Sequence, residues 1–143
     1  MDIYFITGTD TDAGKTVAAC GFVKYLVERG QRVAVMKPVA SGCDMTDGQL
    51  KNSDALALMK VANVEQPYEQ VNPYTFKPAI APHIAAADEN IEISLGKLQQ
   101  TVDEIRQSKV NALVIEGAGG WQLPLSNSQF MPELVERLSA KVI

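Results

Sequence analysis

One histidine, one tryptophan and two cysteines stand in 143 residues. Cys20 and Cys43 fit no metal-ligand spacing, which argues against a thiolate metal centre, and they read as reduced thiols of a cytoplasmic protein. Basic charge is also short: 13 Lys and Arg face 17 Asp and Glu, for a net charge of −4. Nucleic acid and anionic membrane surfaces are therefore poor candidate partners. No apolar stretch is long enough to span a bilayer, and there is no internal repeat or low-complexity tract. What remains is 46% hydrophobic and 21% charged, the balance of one globular domain able to bury a core.

Within that ordinary composition one segment stands out. Gly8-Thr9-Asp10-Thr11-Asp12-Ala13-Gly14-Lys15-Thr16 follows the apolar run Ile3 to Ile6. A glycine-framed Gly-Lys-Thr between a strand and a helix is a phosphate-binding loop. Backbone N–H groups form a nest for phosphate oxygens, and the helix adds its positive end. In such a loop Gly14 allows close approach, Lys15 reaches the terminal phosphates, and the Thr16 hydroxyl is a ligand for Mg²⁺. The implied ligands are ATP or another nucleoside triphosphate, with magnesium. The spacing departs from the usual pattern: five residues separate Gly8 from Gly14 where four are the rule. Asp10 and Asp12 add negative charge that a pure phosphate cradle would avoid, so part of this loop is expected to face a second substrate or the metal.

The pattern predicts alternating strands and helices. A first strand covers Asp2 to Thr7 and a helix Thr16 to Arg29, with Val17, Phe22, Val23, Leu26 and Val27 as its apolar face and Gly30 as its stop. A second strand covers Arg32 to Val39, and Asp44 to Lys51 reads as an exposed loop. Asn52 or Ser53 caps a short helix ending near Ala62. Pro67 to Pro82 fits no regular element. Ser94 caps a helix with Leu95, Leu98, Val102 and Ile105 at helical spacing. Ala112 to Ile115 is a continuous apolar run, as in a buried parallel strand. Met131 to Leu138 is a last helix, before an apolar run at Lys141 to Ile143. The fold class is α/β, a parallel sheet with helices on both faces, of the phosphate-loop NTPase type. Ligands bind such sheets beyond the carboxyl ends of the strands. Residues 8–16, 37–42 and 116–120 lie at those ends and should converge.

Several polar groups fall in these segments. Glu116 ends a buried strand before Gly117-Ala118-Gly119-Gly120, and the glycines point to close backbone approach to a ligand. Lys37 suits charge stabilisation on a transferring phosphoryl group and equally suits a solvated strand end. Asp54 needs no function to be explained, since acidic residues favour a first helical turn. Ser41 and Gly42 fit either a substrate contact or a turn. His83, after Pro82 at an expected helix start, suits capping or packing better than catalysis, and Trp121 reads as core or cleft wall.

Five blocks in order then carry a family resemblance: residues 7–16, Met36-Lys37-Pro38-Val39-Ala40-Ser41-Gly42, Asn52-Ser53-Asp54-Ala55, Val71-Asn72-Pro73-Tyr74, and Val114-Ile115-Glu116-Gly117-Ala118-Gly119-Gly120-Trp121. Together they closely resemble dethiobiotin synthetase, including the unusual glycine spacing. The resemblance implies carboxylation and ring closure of 7,8-diaminopelargonic acid with CO₂ and Mg-ATP, through a carbamate and its phosphorylated form, in biotin biosynthesis. It implies that Lys15 and Lys37 stabilise the transferring phosphoryl group, with Thr11 beside them. Thr16, Asp54 and Glu116 would hold Mg²⁺. Thr11, Lys37 and Ser41 would contact the carbamate end of the substrate. Asp12, Ala13, Gly14, Lys15, Thr16 and Val17, with Glu116, Gly117, Ala118 and Gly119, would surround the nucleotide.

Members of that family continue for further strands and helices. Residues 1–143 are thus expected to be the N-terminal portion of a single ATP-binding α/β domain that acts as a homodimer at full length. A polypeptide of these residues alone is expected to be poorly soluble or inactive, because a missing strand leaves an open sheet edge. The rival reading is an ATP-driven positioning or partition switch on the same scaffold. Such relatives carry an additional lysine early in the loop, where Asp10 and its neighbours here are not basic.

Overall fold

Buried β-branched runs alternating with amphipathic helices give a parallel sheet covered on both faces. The computed structural model describes residues 1–10 and 12–143. In chain order it contains β1 (Asp2–Ile6), α1 (Lys15–Glu28), β2 (Val33–Met36), β3 (Val39–Ala40), β4 (Asp44–Thr46), β5 (Gln49–Lys51) and α2 (Ser53–Val61). Then follow α3 (Tyr68–Val71), β6 (Tyr74–Thr75), α4 (Pro82–Asp88), α5 (Leu95–Gln107), β7 (Ala112–Glu116), α6 (Met131–Arg137) and β8 (Lys141–Val142). The main sheet is parallel throughout, in the order β2-β7-β1-β8.

Strand periodicity divides the core in two. Ile3, Phe5, Ala34, Met36, Leu113 and Ile115 pack towards α4, α5 and α6. Ile6, Val33, Val35, Ala112 and Val114 pack towards α1, α2 and α3. The β2 edge is covered by residues 63–71: Val33 N–H donates to Asn63 Oδ1 and Val35 N–H to Gln66 Oε1, both at 2.8 Å. Lys37 N–H donates to the Val71 carbonyl at 2.7 Å. These bonds satisfy backbone groups that an open edge would leave to another chain.

Four local expectations change. The strand expected over Arg32 to Val39 ends at Met36, because Pro38 offers no N–H to a ladder. Val39 and Ala40 pair instead with Tyr74 and Thr75 in a separate two-stranded sheet. The expected loop over Asp44 to Lys51 is an antiparallel hairpin. Its turn, Asp47-Gly48, has φ of 51° and 76°, the positive pair that a two-residue hairpin loop requires. The expected irregular stretch from Pro67 to Pro82 contains α3 and β6. Finally, Val17 is not part of the apolar face of α1. It is 80% exposed, and Ala19, Val23 and Leu26 form the buried side of that helix.

Candidate active site

The β1, β2 and β7 strands all run in one direction, so the segments that follow them emerge at one end of the sheet. Register then decides who meets whom. Met36 pairs with Ile115, which sets Lys37 and Glu116 side by side one residue later. Both have the parity of Val33, Val35, Ala112 and Val114, so both side chains turn to the face covered by α1 and α2. The starts of those helices bring Thr16 and Asp54.

A cleft of about 690 Å³ results. Its walls include Asp12, Gly14, Lys15, Thr16 and Val17 on one side, and Lys37, Ser41, Asn52 and Asp54 on another. Glu116, Ala118 and Gly119 form part of the floor, while Ala79 to Pro82 and Leu123 add an apolar wall. Ala13 and Gly117, expected around the nucleotide, are not among the lining residues. Thr11 lies outside the described residues.

The charged centre is tightly connected. Lys37 Nζ donates to Glu116 Oε1 at 2.9 Å and lies 3.2 Å from Asp54 Oδ2. Thr16 Oγ1 donates to the same Oε1 at 2.8 Å. The side chains of Lys37 and Glu116 are 5% and 1% exposed, whereas that of Asp54 is 40% exposed. Among the described residues Glu116 Oε2 and Ser41 Oγ are buried without a hydrogen-bond partner. Buried polar atoms are normally paired, so each of these two is a vacant acceptor or donor facing the site. Two carboxylates and a hydroxyl form an all-oxygen donor set, the kind that suits a hard divalent cation. Among the described residues, no cluster of three or more His, Cys, Asp or Glu provides an alternative metal centre.

The phosphate-binding face is equally specific. Gly14 is the N-cap of α1 with φ of 86°, a conformation that glycine adopts without strain. Among the described residues no side chain caps this helix, in contrast to α2 and α5, which leaves its first N–H groups to an anion. The ammonium of buried Lys15 donates to the Asp10 carbonyl within the loop. By contrast, the tightness at Gly117 and Gly120 is internal. A Cβ on Gly117 would stand 3.0 Å from the Phe5 ring, and one on Gly120 would stand 3.0 Å from the Thr9 carbonyl oxygen. These glycines therefore let the β7 loop pack on β1 and the phosphate loop, a reason for glycine at both positions that needs no ligand. Trp121 packs edge-on against Phe5, with centroids 6.1 Å apart. It also lines a second depression with Thr7, Gly8 and Thr9.

Asn52 is the cap of α2: its Oδ1 accepts from the N–H groups of Asp54 and Ala55, at 3.0 and 3.1 Å. Asp54 thus combines a first-turn helix position with a carboxylate in the ion cluster. Asn52 and the wall at residues 79–82 were not singled out by sequence as parts of the site. For the wall, the cluster of prolines marked an irregular segment but gave no direction.

A family model described as an AAA domain matches residues 2–143. The chain belongs to the AAA domain family. It is also similar along its whole length to proteins named ATP-dependent dethiobiotin synthetase BioD. Identity is 59% over 143 residues to the protein of Idiomarina loihiensis, covering 100% of this chain and 64% of that relative. It is 43% to the protein of Pseudoalteromonas translucida and 42% to that of Pseudomonas paraeruginosa, again over the whole chain and 63% of each relative. The chain thus spans 64% of the first relative's length. No helix among the described residues is long and apolar enough to cross a membrane.

Proposed function

We propose that the protein is an ATP-dependent dethiobiotin synthetase, a cytoplasmic, homodimeric ligase of biotin biosynthesis. It joins 7,8-diaminopelargonic acid and CO₂ in a cyclic urea, with ATP converted to ADP and phosphate. The observation that carries this reading is the Lys37, Glu116, Asp54 and Thr16 cluster at the start of α1, in a chain similar over its whole given length to dethiobiotin synthetases.

One substrate amine attacks CO₂ and loses a proton, giving a carbamate. A carbamate oxygen attacks the γ-phosphorus of ATP and ADP leaves. The second amine then attacks the carbonyl carbon, phosphate departs, and a proton is released as the ring closes. Phosphoryl transfer of this kind needs positioning and charge neutralisation rather than strong acid–base groups. The first N–H groups of α1 and the Lys15 ammonium bind the phosphates. Lys37 neutralises charge on the transferring group and the carbamate, and Ser41 offers its unpaired hydroxyl to the carbamate end. Thr11, Asp12 and the loop around them complete the contact between the two substrates. Ala118 and Gly119, with Val17, border the nucleotide. The unpaired Glu116 Oε2, Thr16 Oγ1 and the half-exposed Asp54 carboxylate fit Mg²⁺, which would screen the phosphate charges.

The test is incubation of the full-length protein with the diamine, bicarbonate and MgATP. Diamine-dependent ADP release with a urea product is the expected result. ATP hydrolysis indifferent to the diamine, and raised instead by a protein or lipid, would replace this reading with the positioning switch.

A further inference from the structure

The Val71-Asn72-Pro73-Tyr74 block has no place in the chemistry above, yet its polar side chain is 3% exposed and fully engaged. Asn72 Nδ2 donates to the Lys37 carbonyl at 2.7 Å and to the Tyr74 carbonyl at 3.3 Å. Asn72 Oδ1 accepts from the Tyr68 hydroxyl at 2.9 Å. The Tyr68 oxygen in turn accepts from the Asn52 backbone N–H at 2.7 Å. Asn52 Oδ1 then accepts from the N–H of Asp54. All four bonds donate in one sense, from the Asp54 N–H towards the Lys37 carbonyl, and the covalent frames of Asn52, Tyr68 and Asn72 join them into one chain. Its two ends are the backbones of Lys37 and Asp54, whose side chains meet at 3.2 Å in the cleft.

We propose that Asn52, Tyr68 and Asn72 are positioning residues that hold the Lys37 segment and the start of α2 in register, and so set where the Lys37 ammonium and the Asp54 carboxylate meet. The reading rests on the proposed function for the chemistry it serves, though its geometry does not. Two features favour positioning over simple packing. First, the segments joined are separate in sequence and belong to different layers: the end of a sheet strand and the start of a helix reached through an exposed hairpin. Ion pairs alone would not fix the second segment, since Asp54 is 40% exposed and an exposed carboxylate holds its partner weakly. Second, burial pushes the Tyr68 phenol above its ordinary value, so it keeps the proton it gives to Asn72 throughout the neutral range. Neutral, directional bonds between buried partners provide the rigidity that a catalytic lysine needs, because small misplacements are costly in phosphoryl transfer.

The test uses the full-length protein with Tyr68→Phe, which retains the ring and removes the relay oxygen, and Asn72→Ala, which cuts the relay at Lys37. Nucleotide affinity is measured by calorimetry with ADP, because the relay ends at the backbones of Lys37 and Asp54 rather than at the start of α1. The expected result is ADP affinity within about twofold of wild type and kcat lowered about tenfold by Tyr68→Phe, the equivalent of one buried hydrogen bond. Combined with Asp54→Asn, the Tyr68→Phe effect should shrink to less than about threefold, since both act on one contact. Folded Tyr68→Phe protein with wild-type kcat, or full additivity with Asp54→Asn, overturns the proposal. A loss of ADP affinity that parallels the loss of kcat also overturns it, as general loosening. Should Asn72→Ala not fold, the Tyr68→Phe cycle decides alone. Wild-type protein without diamine-dependent turnover is a failure of the proposed function instead. In that case the cycle is read on ATP hydrolysis, with the same outcomes.

Discussion

Replacing Lys37 by methionine tests whether the ion cluster is a buried, mutually dependent unit. The stem of the side chain is kept and only the ammonium is lost. Among the described residues Glu116, at 1% exposure, then keeps only its hydrogen bond from the Thr16 hydroxyl, while Asp54, at 40%, turns to solvent at little expense. Removing one member of a buried pair destabilises by roughly 3–5 kcal/mol. The surviving charge-assisted bond from Thr16 at 2.8 Å places Glu116 at the lower end, so about 3 kcal/mol is expected. For a chain of this size that corresponds to a fall in Tm of about 10 °C. Replacing both partners, Lys37→Met with Glu116→Gln, should recover about 2 kcal/mol of the loss, because no uncompensated charge remains. Turnover should be abolished in either protein, while MgATP affinity stays nearly intact in Lys37→Met. Calorimetric unfolding of the full-length protein, without nucleotide, measures the first quantity. A single variant as stable as wild type, or a double variant no more stable than the single, would refute the mutual dependence.

Three further outcomes follow from particular contacts. Gly117→Ala should destabilise by about 1–3 kcal/mol, because its Cβ would meet the buried Phe5 ring at 3.0 Å, and unchanged urea unfolding would show that the β7 loop has room. Gly48→Ala should cost about 1 kcal/mol through its φ of 76° without changing turnover, since no hairpin residue lines the cleft; a lowered kcat would contradict that separation. Burial raises both the Cys43 thiol and the Tyr68 phenol, whose ordinary values are 9.0 and 10.0. The folded chain keeps protons that the unfolded chain has released, so this stability is present below pH 9.0 and is lost as pH rises through the shifted values. Urea midpoints that stay flat from about pH 8 to about pH 11 would count against it.

The convergence of the three loops was legible because it follows from strand direction alone. Once the sheet is parallel, residues 8–16, 37–42 and 116–120 have nowhere else to emerge. The meeting of Lys37 with Glu116 was not legible, since it depends on β2 lying beside β7 in the register that pairs Met36 with Ile115. The hairpin over Asp44 to Lys51 carried the Asp-Gly signal but lacks a buried face, so its period-2 pattern was silent. Val17 followed the helical period yet lies in the first turn of α1, where the cleft rather than the core is its neighbour.

Asp54 marks the boundary between what local pattern can and cannot carry. Its sequence neighbours explain a helix start completely, and nothing within the window of α2 indicates that the helix points at Lys37. That direction is set by contacts outside the window: Asn52 N–H to Tyr68, Tyr68 to Asn72, and Asn72 to the backbone of Lys37 itself. The information that makes Asp54 a site residue thus lies in residues 68 and 72, in a stretch whose prolines conceal any period. A first-turn aspartate gains a catalytic setting only when a second segment fixes the aim of its helix. The segment that does so here is anchored to the same lysine the aspartate meets. The two ends of that contact are therefore built from one hydrogen-bonded unit, and a substitution at its middle should be felt at both.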